Sequence, residues 1–223
     1  GYSSRPGADE VSIDEEIERT AGLILELKKR HPKTLISIDT FRSEVAEKAV
    51  QNGADIINDI SGGQLDAKIF QVAAKHNCPY ILMHMKGSPA NMMEHCNYDH
   101  LLKDIIHYFT VQVSKAQSAG IKDIIIDPGF GFSKTLDQNF ELMNQLDLLG
   151  VLAKPMLVGV SRKSMIYKTL NTSPEESLNG TTALNMVALQ KGAMILRVHD
   201  VKAAVEAIHL HQKLVSNNEN AKA

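Results

Sequence analysis

Six apolar runs in this chain each stop at a polar group that could do chemistry. They are Ile36-Ser37-Ile38-Asp39, Ile56-Ile57-Asn58-Asp59, Ile81-Leu82-Met83-His84, Ile124-Ile125-Ile126-Asp127, Leu157-Val158-Gly159-Val160-Ser161-Arg162-Lys163 and Ile195-Leu196-Arg197-Val198-His199-Asp200. Asp39, Asn58 and Asp127 offer carboxylate and amide groups, which suit a flat heterocycle rich in N–H donors. A guanidine-like edge can give two hydrogen bonds to one carboxylate, and such charge-assisted pairs are the strong ones. The last two runs end in cations, Arg162 and Lys163, then Arg197 and His199, which suit a phosphate. Acid on one side and base on the other points to one ligand that carries a heterocycle and a phosphate together.

The fourth run continues as Asp127-Pro128-Gly129-Phe130-Gly131-Phe132-Ser133-Lys134-Thr135. Pro128 has no donor to prolong a ladder, the glycines leave room for close backbone approach, and the two phenylalanines supply apolar surface. Each strand-end group also has a purely structural reading. Asp39 before Thr40 could cap the helix that begins near Arg42, and Asn58 or Asp59 could do likewise. Asp200 reads as the cap of the final helix, and His84 equally well as a core histidine with its bonds satisfied. Lys163 and Arg197 resist such readings, because a strand end is an expensive place for an unpaired cation. His95-Cys96-Asn97-Tyr98-Asp99-His100 is the densest histidine cluster and matches no standard zinc spacing.

The elements that must position these groups follow from periodicity. Arg5-Pro6-Gly7 is turn chemistry. Ser12 and Glu15 form a capping-box pattern for a helix to about Arg30, with Ile13, Ile17, Ala21, Ile24 and Leu27 or Lys28 as its apolar stripe. Glu16, Lys29 and Arg30 are assigned to its solvated face. Strands are expected at 34–39, 54–59, 79–84, 155–160 and 193–198, besides the run ending at Asp127. Helices are expected at 42–52, 65–76, 98–119, 138–149, 174–191 and 201–215, and Gly180 counts against the fifth of these. The short apolar runs read as strands buried on both faces, so βα repeated six times implies a parallel sheet with its chemistry at the C-terminal strand ends. Residues 1–215 read as one domain and 216–223 as a polar, frayed tail. An eight-fold barrel takes about 250 residues. Six units in 223 residues leave an open sheet, or a barrel whose first part lies before Gly1, and the loop-like opening favours the barrel.

Composition bounds the function. The chain is 43% hydrophobic and 22% charged, enough for a substantial core, and its net charge of −2 offers no field to recruit nucleic acid or an anionic membrane. No apolar run approaches the roughly 18 residues that cross a bilayer. Cys78 and Cys96 lack CxxC spacing, and Cys78, just before a strand, reads as a buried free thiol that fits the cytoplasm.

Seven motifs in register resemble the dihydropteroate synthase family of pterin-binding enzymes. They are Arg5-Pro6-Gly7, Ser37-Ile38-Asp39-Thr40, Asn58-Asp59-Ile60-Ser61-Gly62-Gly63, Leu82-Met83-His84-Met85, Asp127 to Phe132, Ser161-Arg162-Lys163-Ser164 and Arg197-Val198-His199-Asp200-Val201. The resemblance spans essentially the whole chain and implies a TIM-type (β/α)8 barrel with about six βα units present here. It implies a pterin pocket of Asp39, Asn58, Met83, Asp127, Gly159 and Lys163, with Arg197 stacked on the ring. Arg197, His199 and the neighbourhood of Asn58 would face pyrophosphate. The second substrate, p-aminobenzoate, which sulfonamides imitate in that family, would lie among Ser4, Arg5, Pro6, Phe132, Ser161 and Lys163. The implied reaction is displacement of pyrophosphate from the pterin methylene carbon by the aryl amine, with Lys163, Arg197 and His199 as the catalytic groups. Magnesium would assist the leaving group, the family's magnesium-binding asparagine lying before Gly1, and a homodimer is implied. Ser4 stands for the usual threonine and Ser133 for a common glycine, while the family's first strand and loop are not matched. Two alternatives remain: a pterin-binding module without turnover, and a folate-dependent methyltransferase, which needs no pyrophosphate cradle.

Overall fold

A computed structural model describes residues 11–220, so Ser4, Arg5 and Pro6 lie outside the described residues. Helix α1 (Ile13–Arg30) begins where the Ser12 hydroxyl accepts from the Glu15 amide. Strand β1 (Ser37–Asp39) leads to α2 (Ser43–Gln51), β2 (Ile56–Asp59) to α3 (Ile69–Lys75), and β3 (Tyr80–Met83) to α4 (Leu101–Ser118). Strand β4 (Ile124–Asp127) leads to α5 (Leu136–Asn144), β5 (Leu157–Val158) to α6 (Ser164–Tyr167) and α7 (Leu178–Gln190), and β6 (Ile195–Leu196) to α8 (Val201–Asn220).

All six strands are parallel and stand in chain order. β1 to β4 form one ladder, β5 and β6 another, and a parallel bridge between Ile126 and Met156 joins the two. Among the described residues no ladder joins β6 back to β1, and the link there is an ion pair described below. The register sets Asp39 beside Asn58 and Met83 beside Asp127, so the strand ends form one continuous edge. The core lies between strands and helices: Ile57, Tyr80, Leu82 and Ile126 are sealed beneath Ala46, Ile69, Ile105, Phe109 and Leu142. A separate small cluster, Ile60, Met83, Met85 and Met92 with Phe41 and Phe132 against it, sits at the strand ends.

Several expectations change. Glu16 is fully buried rather than on the solvated face of α1. The Arg42 guanidinium, from the turn after β1, donates to its Oε2 at 3.1 Å and to the Val11 carbonyl at 2.6 Å, drawing the acid inward. Helix α3 starts at Ile69, later than expected, because Asp66 holds a turn by accepting from the amides of Ser43 and Lys68. Helix α5 starts early, on a capping box of Thr135 and Gln138, and gives way to a 3-10 helix over Leu146–Leu152. The stretch expected to be one helix from Pro174 begins as a turn, and α7 proper starts at Leu178. Gly180 then has a packing reason: a Cβ there would stand 2.5 Å from Ile166 Cγ2. Helix α8 continues to Asn220, through part of the tail expected to fray.

Candidate active site

The acceptor side of the edge is built by β1, β2 and β4. Asp39 does not cap α2; the Ser43 amide takes Asp66 instead, leaving the Asp39 carboxylate free to accept from Arg197 Nη2 at 3.0 Å. Burial raises the Asp39 pKa, opposed by Arg197 and by a hydrogen bond from Asn58. Asn58 is buried, and its Oδ1 has no hydrogen-bond partner among the described residues. Asp59, one residue on, points the other way and is structural, accepting from the amides of Ser61 and Gly63 and from the Tyr80 hydroxyl. Asp127 is buried and accepts from the Gly129 amide at 2.8 Å. Desolvation raises its pKa against the pull of Lys163, Lys134 and Arg197.

The cation side is built by β5 and β6. Lys163 donates to the Phe130 carbonyl and lies 4.8 Å from the centre of the Phe132 ring. Gly131, at φ +79, makes room for it, since a Cβ there would stand 3.2 Å from Lys163 Cδ. Desolvation lowers the Lys163 pKa to about 8, with Asp127 pulling it back up. Arg197 is exposed and reaches across the strand ends to Asp39, spanning the side where no ladder closes the sheet. Gly159 keeps that path clear: a Cβ there would already touch Arg197 Cβ at 3.5 Å. Ser161 Oγ accepts from the His199 amide at 3.2 Å and lies 2.9 Å from His199 Nδ1, to which it is free to donate its proton. Beside this rung Arg162 makes a two-pronged bond to Asp200, 3.1 Å from Nε and 2.7 Å from Nη2. The two rungs lock the loops after β5 and β6 together.

This edge therefore holds a carboxylate and an amide at one end, a sunken carboxylate in the middle and three cationic side chains opposite. Residues 1–199 match the family described as pterin binding enzyme. The dihydropteroate synthase of Synechocystis sp. is 46% identical over 209 residues, covering 92% of this chain and 72% of the relative. That of Escherichia coli K12 is 41% identical over 226 residues, covering 99% and 78%. The chain belongs to the dihydropteroate synthase family.

Solved structures agree. A Yersinia pestis dihydropteroate synthase described with a sulfonamide drug complex superposes with a TM-score of 0.93 at 39% identity, over 97% of this chain and 78% of the other. The Thermus thermophilus synthase in complex with 4-aminobenzoate gives 0.88 at 35% identity, over 95% and 81%. The family fixes the fold class as the α/β barrel expected from the sequence, and the activity as a transferase of folate biosynthesis.

The synthase edge brings together Asp39, Asn58, Met83, Asp127, Phe132, Gly159, Ser161, Lys163, Arg197 and His199. Three neighbours stand apart from that set. Asp200 stands at the start of α8 as read, but its carboxylate goes to Arg162 rather than to helix amides. His84 takes the core reading, buried against Tyr108 with the ring centres 4.8 Å apart. Lys134, quoted in the fourth motif and given no role, is fully buried beside it at 3.0 Å. It directly precedes the Thr135 cap, and no spacing in the sequence marks it as buried. A surface cavity of about 500 Å³ lies between α2 and α3 among Glu47, Lys48, Gln71 and Lys75, away from the strand ends. Among the described residues no group of three or more His, Cys, Asp or Glu could hold a metal, and no helix is long and apolar enough to cross a membrane.

Proposed function

We propose that the chain joins 6-hydroxymethyl-7,8-dihydropterin pyrophosphate to p-aminobenzoate, giving 7,8-dihydropteroate and pyrophosphate, and that sulfonamides compete for the amine's place. The observation that carries this reading is the division of one edge into acceptors and cations. Asp127 accepts from the amino and ring N–H edge of the pterin, with Asp39 and Asn58 beside it and Met83 and Gly159 bounding the ring. Arg197 stacks on the ring. Lys163 lies between the two substrates, and Phe132, Ser161, Ser4, Arg5 and Pro6 bound the aryl amine. The bond between the methylene carbon and the pyrophosphate oxygen breaks, the amine nitrogen bonds to that carbon, and the amine gives up one proton. Positive charge on the carbon and negative charge on the leaving oxygen grow together. Lys163, Arg197 and His199 are already oriented by Phe130, Asp39 and Ser161 toward that growing charge, so little reorganisation is needed. An aryl amine is a nucleophile without activation, so no Ser-His-Asp arrangement is needed.

Magnesium belongs to the same reading. It favours oxygen ligands, usually one or two carboxylates with substrate phosphates and water; with Asp39 and Asn58 on the pterin, it would be held chiefly by the pyrophosphate oxygens and by the family's asparagine, which this sequence does not match. When bound it supplies positive charge to the leaving pyrophosphate. A homodimer through α7 and α8 is supported by Leu210 and Leu214, which are 63% and 54% exposed. Free Cys78 and Cys96 support a reducing, cytoplasmic setting.

Asp127→Asn tests the pocket. Pterin affinity measured by calorimetry is expected to fall ~10- to 100-fold, since hydrogen bonds to a charged group are worth about 1.5–3 kcal/mol. Unchanged affinity would place the heterocycle elsewhere.

A further inference from the structure

Beneath the candidate site, Lys134 is 2% exposed, and no carboxylate lies within ion-pair distance of it among the described residues. Its ammonium instead meets three acceptors, His84 Nδ1, the Gly129 carbonyl and the Phe132 carbonyl, each at 3.0 Å. A protonated lysine has three N–H groups and no acceptor, so the match is complete. Two of the three acceptors belong to the loop that starts after Asp127 and presents Phe130 and Phe132. The same loop is clamped from outside. Ser133 Oγ donates to the Lys86 carbonyl and accepts from its amide, the Tyr98 hydroxyl donates to the Ser133 carbonyl, and Asn139 accepts from the Gly131 amide. Gly129, at φ +71, lies so near the His84 carbonyl that a Cβ would come within 2.1 Å of it. The loop is thus pressed onto β3 with one buried cation as its internal post.

We infer that Lys134 is a positioning residue for the transfer: its three hydrogen bonds set the loop that places the Phe132 ring against the aryl amine and the Phe130 carbonyl against Lys163. The inference rests on the proposed place of p-aminobenzoate beside Phe132. Burial lowers the Lys134 pKa to about 7; Asp127 and Cys96 pull it up, Lys163 and Lys86 push it down, and the neighbouring His84 stays neutral because burial, Lys134 and Lys86 all disfavour its charge. Loss of the third N–H above neutral pH therefore loosens the post.

The test is steady-state kinetics of Lys134→Met, which keeps the side chain out to its ε-carbon and removes its donors, beside Phe132→Ala. Phe132→Ala is expected to raise the KM for p-aminobenzoate; if it does not, the proposed amine site is wrong and the inference falls with it. With that control positive, Lys134→Met is expected to raise the same KM tenfold or more and to remove the rise in KM expected of the unaltered chain as pH increases through neutrality. A lower kcat with both KM values and their pH dependence unchanged would mean a purely structural lysine and overturn the inference. His84→Gln, which alters one of the three acceptors, is expected to raise the same KM by a smaller factor, and an unchanged value counts against the post. Failure of both the Lys134 and His84 variants to fold would likewise assign the group to stability alone.

Discussion

Three groups near the candidate site hold protons less readily in the folded chain than they would in the unfolded one. Burial lowers Lys134 to about 7 and Lys163 to about 8 from an ordinary 10.5, and lowers His84 well below 6.5. Between about pH 7 and 10.5 the unfolded chain binds more protons at the two lysines, so their contribution to stability rises with pH. Cys78 works the other way higher up. Burial raises its thiol from 9.0 to about 11, so unfolding releases a proton there and stability falls as pH climbs through that window. A thermal melt followed by circular dichroism is expected to show a midpoint that climbs from about pH 7 to about pH 9. Lys134→Met should flatten the climb; an equal climb in that variant would mean that Lys134 titrates normally. The loss of the Lys163 proton near pH 8 should also weaken the cation side of the edge, so kcat/KM is expected to fall with a pKa near that value.

At the scale of elements, positioning depends on pairs that cross from one βα unit to the next. Arg162 is held at φ +55, a conformation uncommon for a residue of its size, and is fastened there by Asp200 and by its own amide to the Thr181 hydroxyl. Both partners are partly exposed, so the pair's effect on overall stability is small; its effect is on the placement of Lys163 and His199. Asp200→Asn is expected to lower kcat/KM on the order of tenfold with a nearly unchanged melting temperature, since small misplacements of catalytic groups are costly. Equal activity would show that the rung from Ser161 to His199 suffices alone. Packing of α7 on α6 is set by Gly180. Alanine is a better helix former by about 1 kcal/mol, but its methyl would collide with Ile166, which is 2% exposed, and overpacking costs about 1–3 kcal/mol. Gly180→Ala is therefore expected to destabilise, read as a lower urea midpoint, and a higher one would show that Ile166 yields freely.

For the molecule as a whole, the sequence displayed what is local and concealed what is distant. Six apolar runs ending in polar residues can be read directly, because strand burial and strand termination are properties of a few consecutive residues. So can the Ser12 cap. The pairing of Glu16 with Arg42 spans 26 positions, Arg162 with Asp200 38, and Lys134 with His84 50. No period or spacing relates residues so far apart, so a buried acid was read as exposed and a buried lysine was given no role. The strand-end positions share one edge because parallel register brings them there whatever their separation. That edge carries the account's central claim, and pyrophosphate release tests it most directly. The chain would be given the pterin pyrophosphate, p-aminobenzoate and magnesium, each omitted in turn. Release that requires all three is the expected result. Pyrophosphate released without the amine, or none released while the pterin pyrophosphate binds, would contradict the assignment of both substrates and their transfer to this edge.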